Sequence, residues 1–352
     1  MSPGEEFREI LKARARGPTH LGFLEPELCE RAMALILSGE ATPAQIGGFL
    51  LVGRAVGDSP AEMAAYARPM RSLVRTIEAP EGPMVAVTGG FDGKLRTFNV
   101  GAAASLVAAA AGGRVLMLGC EGTPPKEGRT VFDALRALEL SSPQALEEAE
   151  TSLAEHGFAA TSVDHYLPEL HDLLGLRHEM VRRTVLNVVE KLVSPVPGSR
   201  MVVGITHRPF LESIPAALAD LGVEHALVFQ AIEGSDEAPL ASNSSLVRVR
   251  NGETEEFRIS PESIGLSRTT KSHVPWRDAD DEARNVLAAL GDEEGPARRL
   301  ILYNAALRLW AADEDASLAE EVVRADETLR SGAALELLSK LRRPATVETF
   351  IA

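Results

Sequence analysis

Cysteine is nearly missing from this chain. Its two thiols, Cys29 and Cys120, fall in different predicted elements, so they support neither a disulfide framework nor a four-cysteine zinc site, and a reducing cytoplasm fits them. Positive charge is also short: 36 Lys and Arg against 51 Asp and Glu leave a net charge of −15. Such a balance speaks against a protein that coats nucleic acid or an anionic membrane, because both partners are held by neutralising their phosphates. Only local basic patches remain for that purpose, and solubility is reason enough for the acidic excess. No long apolar run is present. The most apolar stretch, residues 101–113, is too short to span a bilayer and is closed by Arg114, so a buried helix is expected there. The opening Met1-Ser2-Pro3-Gly4-Glu5-Glu6 lacks the basic and apolar regions of a secretion signal. His165, His171, His178 and His207 lack the spacing that puts two imidazoles and a carboxylate on one metal, and no serine elbow of the hydrolase type occurs. No internal repeat is visible.

What is present divides in two. A length of 352 residues with 45% hydrophobic and 25% charged side chains suits a globular protein of about two domains, with room for a cleft between them. The first ~75 residues carry helical periodicity only. Thr42-Pro43-Ala44-Gln45 and Ser59-Pro60-Ala61-Glu62 each place a capping hydroxyl, a proline at the first helical position and an amide or carboxylate at the third, which marks two helix starts. From Met84 onward, short β-type runs at 84–88, 114–118, 201–206 and 225–231 alternate with helices, the pattern of an α/β layer with a mainly parallel central sheet. Runs at 245–250 and 255–259 flank Asn251-Gly252, a dipeptide suited to a tight hairpin. The fold class expected is therefore α/β: a small all-helical domain over residues 1–80, joined by helices of about 165–192, and a larger α/β domain over 81–352.

Three places could carry chemistry. Val85-Ala86-Val87-Thr88-Gly89-Gly90-Phe91-Asp92-Gly93 is a strand running into a glycine-rich loop, followed after Asn99 by a helix of small residues. Backbone amides of such a loop can approach a phosphate, and Lys94 and Arg96 could add charge, although turns of this kind serve packing alone as often. Glu233-Gly234-Ser235-Asp236-Glu237 follows a predicted strand, at the end where α/β sheets bind ligands; its carboxylates suit Mg2+, or form a solvated loop. Arg177, Arg182 and Arg183 are expected on one helix, with Arg177 and Arg183 on about the same face, able to clamp a carboxylate or phosphate or simply to face solvent.

In order and spacing, Leu37-Ser38-Gly39-Glu40-Ala41-Thr42-Pro43, Thr88-Gly89-Gly90, Thr97-Phe98-Asn99, Arg183-Thr184, Asp236-Glu237, the segment 259–266 and Asn304-Ala305-Ala306 resemble the anthranilate phosphoribosyltransferase family over nearly the whole chain. The resemblance implies a cleft between the two domains, a dimer formed through the helices and a Mg-assisted phosphoribosyl or glycosyl transfer whose acceptor the sequence does not name. Thr88, Gly89, Gly90 and Asp92 resemble the loop that holds phosphoribosyl pyrophosphate, Asn99 the start of the next motif, and Asp236 with Glu237 the magnesium pair. Arg177 resembles the arginine that receives the acceptor carboxylate. The pattern also breaks. Val87 stands for a glycine, Phe91 is inserted, Gly101-Ala102 replaces a Ser-Thr pair, and Met117-Leu118-Gly119-Cys120-Glu121 replaces a basic segment, for which Lys126 and Arg129 could compensate. Glu190-Lys191-Leu192 and Thr206-His207-Arg208-Pro209-Phe210-Leu211 are closer to a noncatalytic branch of the superfamily that is associated with nucleic acid, which supplies the alternative function: a scaffold that binds nucleic acid or a phosphorylated metabolite.

Overall fold

Four helices open the chain in the computed structural model, which describes residues 2–15, 22–78, 81–313 and 315–342: α1 (Pro3–Arg14), α2 (Pro26–Leu37), α3 (Pro43–Val56) and α4 (Pro60–Leu73). Proline occupies the first turn of each. Thr42 and Gln45 bond reciprocally at the start of α3, and Ser59 and Glu62 do so at α4, so both expected starts are true capping boxes. The Phe7, Phe49 and Tyr66 rings meet edge to face between the helices, at centroid separations of 5.7 and 6.0 Å. Beside them Arg14, fully buried, is ion-paired to Glu62 and lies 3.3 Å from Asp58.

The remaining described residues form a seven-stranded sheet and its helices: β1 (Val85–Thr88), α5 (Gly101–Ala110), β2 (Val115–Gly119), α6 (Val131–Ala137), α7 (Leu146–His156) and β3 (Phe158–Ser162) come first. Short helices α8 (Val163–Tyr166), α9 (Pro168–His171), α10 (Leu174–Met180) and α11 (Leu186–Val189) lead to β4 (Arg200–Ile205), α12 (Phe210–Asp220) and β5 (His225–Gln230). The hairpin β6 (Ser244–Arg250) and β7 (Glu253–Ile259) and helices α13 (Ala279–Leu290), α14 (Pro296–Ala312), α15 (Leu318–Arg330) and α16 (Ala333–Leu341) complete it. Strand order is β3-β2-β1-β4-β5-β6-β7, with parallel pairing through β5 and antiparallel pairing after it. Successive strand residues serve opposite faces, as a period of two requires. Ala86, Leu116 and Val203 join the core shared with the helical bundle, while Val85, Val87, Val115 and Val202 pack against α5 and α14. At the hairpin, Asn251 and Gly252 take φ of 50° and 84°, the left-handed conformation the dipeptide was expected to supply. Among the described residues no helix is long and apolar enough to cross a membrane.

Two expectations need correction. β3, Phe158-Ala159-Ala160-Thr161-Ser162, is missing from the sequence reading because its small residues carry no β-branched run; burial between helices, not intrinsic preference, makes it a strand. The arginine helix is also broken. α10 ends at Met180, and Val181 adopts φ 57°, so Arg182 and Arg183 leave the axis that carries Arg177. α10 packs on α3 and α11 on α4, which seats this segment against the bundle. Between β1 and β4 the strand order reverses direction, so the crevice at their carboxyl ends is where a parallel sheet presents ligand-binding loops.

Candidate functional site

That crevice opens into a cavity of about 480 Å3 between the bundle and the sheet. Arg54, Asp58 and Met63 line it from the bundle, Arg183, Asn187 and Lys191 from the segment packed on the bundle, and Phe91 and Asp92 from the loop after β1, with Phe210 and Ile214 of α12 beyond. Asp92 is its organiser. Arg183 donates to it from Nε at 2.9 Å and from a second guanidinium nitrogen, and Lys126 lies 3.3 Å from it. Lys126 also donates to the carbonyls of Gly93 and Glu233, so it ties the loop after β1 to the loop after β5. Lys191 donates to the Gly204 carbonyl at 2.7 Å, and burial pushes its ammonium down to about 8 against the pull of Glu190 and Asp92. Burial likewise pushes the Asp58 carboxyl up to about 6, with Arg14 opposing. Thr88 faces the same region but donates its hydroxyl to the Lys191 carbonyl at 3.2 Å, holding that backbone in place.

The glycines of the β1 loop have a specific neighbour. A Cβ on Gly89 would sit 2.8 Å from the Asp236 amide nitrogen, and one on Gly90 would sit 2.8 Å from the Gly234 carbonyl oxygen. A Cβ on Gly101 would collide with the Asp236 carboxylate, and one on Gly204 with the Ser235 carbonyl. Gly89 and Gly90, expected to admit phosphate, thus admit the chain's own 233–236 loop. The hollow left beside them measures about 30 Å3, room for a water or two.

Asp236 and Glu237, the expected magnesium pair, are occupied by cations of the chain itself. Asp236 is ion-paired to the fully buried Arg308, and Glu237 to the buried Lys94. Glu237 also accepts from the amides of Val100 (2.8 Å) and Gly101 (3.0 Å), capping α5 where a phosphate was expected. Burial raises the Glu237 carboxyl, with Lys94 as the chief opposing influence. Glu233 fills a second nest, accepting from the amides of Leu95 (3.0 Å), Arg96 (3.1 Å) and Thr97 (3.0 Å) and from the Thr97 hydroxyl. Burial works against its charge, yet these donors hold it below the usual carboxylate range. Magnesium needs several oxygen ligands free to converge on it. As folded, this donor set does not fit, and no group of three metal-ligating side chains occurs among the described residues.

Asn99 and Arg177 also turn inward. Asn99 donates its side-chain amide to the Thr130 carbonyl at 3.1 Å and its backbone amide to Glu282, whose carboxyl burial pushes up to about 7. Arg177 is buried and donates from one guanidinium nitrogen to Glu190 at 2.8 Å, while its Nε and other terminal nitrogen have no hydrogen-bond partner among the described residues. Of the expected site residues, Gly90 and Asp92 line the cleft, with Lys126 paired to Asp92 and Thr88 fully buried against the Lys191 backbone, whereas Asn99, Arg177, Asp236 and Glu237 do not line it. Lys191, Asp58 and Asn187 join the cleft with no prior sequence indication beyond the Glu190-Lys191-Leu192 string.

The likeness to known proteins is specific. Residues 8–74 match the glycosyl transferase family, helical bundle domain, and residues 84–335 the glycosyl transferase family, a/b domain. The anthranilate phosphoribosyltransferase of Thioalkalivibrio sulfidiphilus is 33% identical over 309 residues, covering 88% of this chain and 91% of that protein. Its counterpart in Thermomicrobium roseum is 34% identical over 325 residues, covering 91% and 92%. The crystal structure of anthranilate phosphoribosyltransferase from Thermus thermophilus superposes with a TM-score of 0.82 at 28% identity, covering 97% of this chain and 98% of that one. The Saccharomyces cerevisiae enzyme in complex with PRPP and Mg shares the fold, with a TM-score of 0.80 at 18% identity over 96% and 97% of the two chains.

Proposed function

The chain belongs to the glycosyl transferase family of anthranilate phosphoribosyltransferase-like proteins, and on that premise we propose that it binds a phosphorylated ribosyl ligand in the 480 Å3 cleft and transfers the sugar to an acceptor. The observation that carries this reading is the convergence of Asp92, Arg183 and Lys191 at the switch point of the sheet, beside an apolar wall of Phe91, Phe210 and Ile214. Arg183 and Lys191 offer charge to a phosphate. The apolar side suits a flat acceptor. Asp92 faces the same space and can stabilise positive charge growing on the sugar, so the protein's contribution is orientation and charge without a covalent nucleophile. Arg177, the expected receiver of an acceptor carboxylate, is paired through one nitrogen to Glu190, which lines the cleft. In this reading the protein works in the cytoplasm, with residues 1–80 and the helices of about 165–192 closing over an α/β unit of 81–352.

Calorimetric titration with phosphoribosyl pyrophosphate, followed by an assay for pyrophosphate release with candidate acceptors, tests this. Binding in the micromolar range that weakens as pH rises through about 8, where Lys191 loses its proton, supports the reading. Titration of oligonucleotides and of phosphorylated metabolites in the same buffer covers the second reading, a binding scaffold without turnover. That reading is favoured by Glu233 and Glu237 lying on the amides that a phosphate would use. Saturable binding with no pyrophosphate release over long incubation would establish the scaffold; no binding of phosphoribosyl pyrophosphate would end the transferase reading.

We also propose a homodimer through the bundle. Leu51 on α3 is 43% exposed and Leu73 at the end of α4 is 40% exposed, apolar side chains that a second copy would cover. Light scattering should give twice the chain mass at micromolar concentration, and Leu51→Glu should shift it toward the monomer. A monomeric wild type would refute the interface.

A further inference from the structure

We propose that Lys94 and Arg308 are resident counter-cations that replace a divalent metal at the Asp236-Glu237 pair, so that this chain binds its phosphorylated ligand independently of Mg2+. The inference rests on the phosphorylated-ligand reading for its second half only. Its first half concerns the carboxylates themselves.

Two carboxylates in sequence could in principle swing out and gather a metal. Here they are held. Lys94 contributes an ammonium that is almost fully buried, bonded to Glu237 and to the Phe98 carbonyl at 2.8 Å. Arg308 reaches Asp236 from α14 and is braced by Ser105 at 2.8 Å and by the Asn304 carbonyl at 2.9 Å. Burial lowers the Arg308 guanidinium, with Asp236 and Glu237 opposing, and an arginine retains its charge throughout the working range. The carboxylates also have backbone reasons to stay. Glu237 caps the first amides of α5, and Gly101, standing where the family resemblance expects serine, leaves the space that the Asp236 carboxylate fills. A serine side chain at 101 would collide with it. The departure from the family pattern and the inward turn of Asp236 are therefore one change. Gly89 and Gly204 lock the same loop from two other elements. A cation entering this site would have to eject an ammonium and a guanidinium already desolvated beside their partners, which like-charge repulsion opposes.

Three measurements test this on the full chain. Thermal unfolding of wild type with Mg2+ alone, against NaCl of equal ionic strength, should show no added stabilisation, whereas any ligand of the native state would raise the midpoint. The variant Lys94→Met leaves Glu237 without its cation, so Mg2+ should stabilise this variant and not the wild type. Calorimetry with inorganic pyrophosphate in EDTA should give the same affinity as pyrophosphate titrated with Mg2+, once the metal's own chelation of the ligand is taken into account. Stabilisation of wild type by Mg2+ that is lost in Asp236→Asn/Glu237→Gln would overturn the proposal. So would pyrophosphate binding that appears only with Mg2+. If pyrophosphate binds under neither condition, the phosphorylated-ligand reading fails while the Mg2+ arms still decide whether the pair is a metal site. Should Lys94→Met not fold, the wild-type arms stand alone.

Discussion

Glu237→Gln should destabilise the protein by about 3–5 kcal/mol, the range observed when one partner of a buried ion pair is removed. The sequence alone suggests the opposite outcome: a loop carboxylate exchanged for an amide of the same size ought to leave folding nearly unchanged. The structure reverses this because the Glu237 and Lys94 side chains are 1% and 2% exposed. Glutamine can still accept from the Val100 and Gly101 amides, but it leaves the Lys94 ammonium in the core without a counter-charge. Denaturant titration of wild type and variant, with the slope checked for constancy, reads the difference directly. Glu255→Gln provides the contrast, since its partner Arg248 is partly solvated and Glu255 itself is 61% exposed; a cost below about 1 kcal/mol is expected there. The double change Lys94→Met/Glu237→Leu should recover much of the loss, because apolar replacement of a whole buried pair is tolerated far better than breaking it. A Glu237→Gln variant within about 1 kcal/mol of wild type would show that the pair is open to solvent.

Gly204→Ala should be nearly as damaging. The added methyl would occupy the position of the Ser235 carbonyl, and backbone cannot move aside as a flexible side chain can. Overpacking of this kind costs about 1–3 kcal/mol, and more where the backbone itself is in the way. The damage should reach the cleft as well. Lys191 donates to the carbonyls of both Gly204 and Gly234, so displacement of the 233–236 loop moves the ammonium offered to ligand. Chemical denaturation should give the stability loss, and hydrogen exchange should show faster opening of residues 233–237. Gly175→Ala in α10, where nothing lies within 4 Å of the new methyl, should be neutral or slightly stabilising, since alanine is favoured in helices by up to ~1 kcal/mol. Equal effects at positions 175 and 204 would mean that helix preference or chain entropy, and not the loop contact, governs both.

Much of the architecture was legible because its causes are local. A cap acts across three residues, a hairpin turn across two and strand alternation across neighbours, so Thr42, Ser59, Asn251-Gly252 and the runs at β1, β2, β4 and β5 could be read in place. β3 could not, since nothing in Ala159-Ala160-Thr161 distinguishes a buried strand from a helix until helices cover it. The candidate site divides along the same line. Asp92 and Lys126 could each be singled out from their motifs, but nothing in the sequence joined them; their 3.3 Å approach is a product of the fold. The fate of the acidic pair did not follow from the sequence either.

The helical and α/β halves, the mainly parallel sheet and the Asn251-Gly252 turn were set by local sequence pattern. Which charges pair with one another was set by the packing of distant segments. Lys94 meets Glu237 across 143 residues, Arg308 meets Asp236 across 72 and Arg183 meets Asp92 across 91. A carboxylate in a motif looks the same on paper whether it faces solvent, metal or a buried arginine. Its chemistry is set by the nearest opposite charge and by how much water remains around the two, and both are properties of packing.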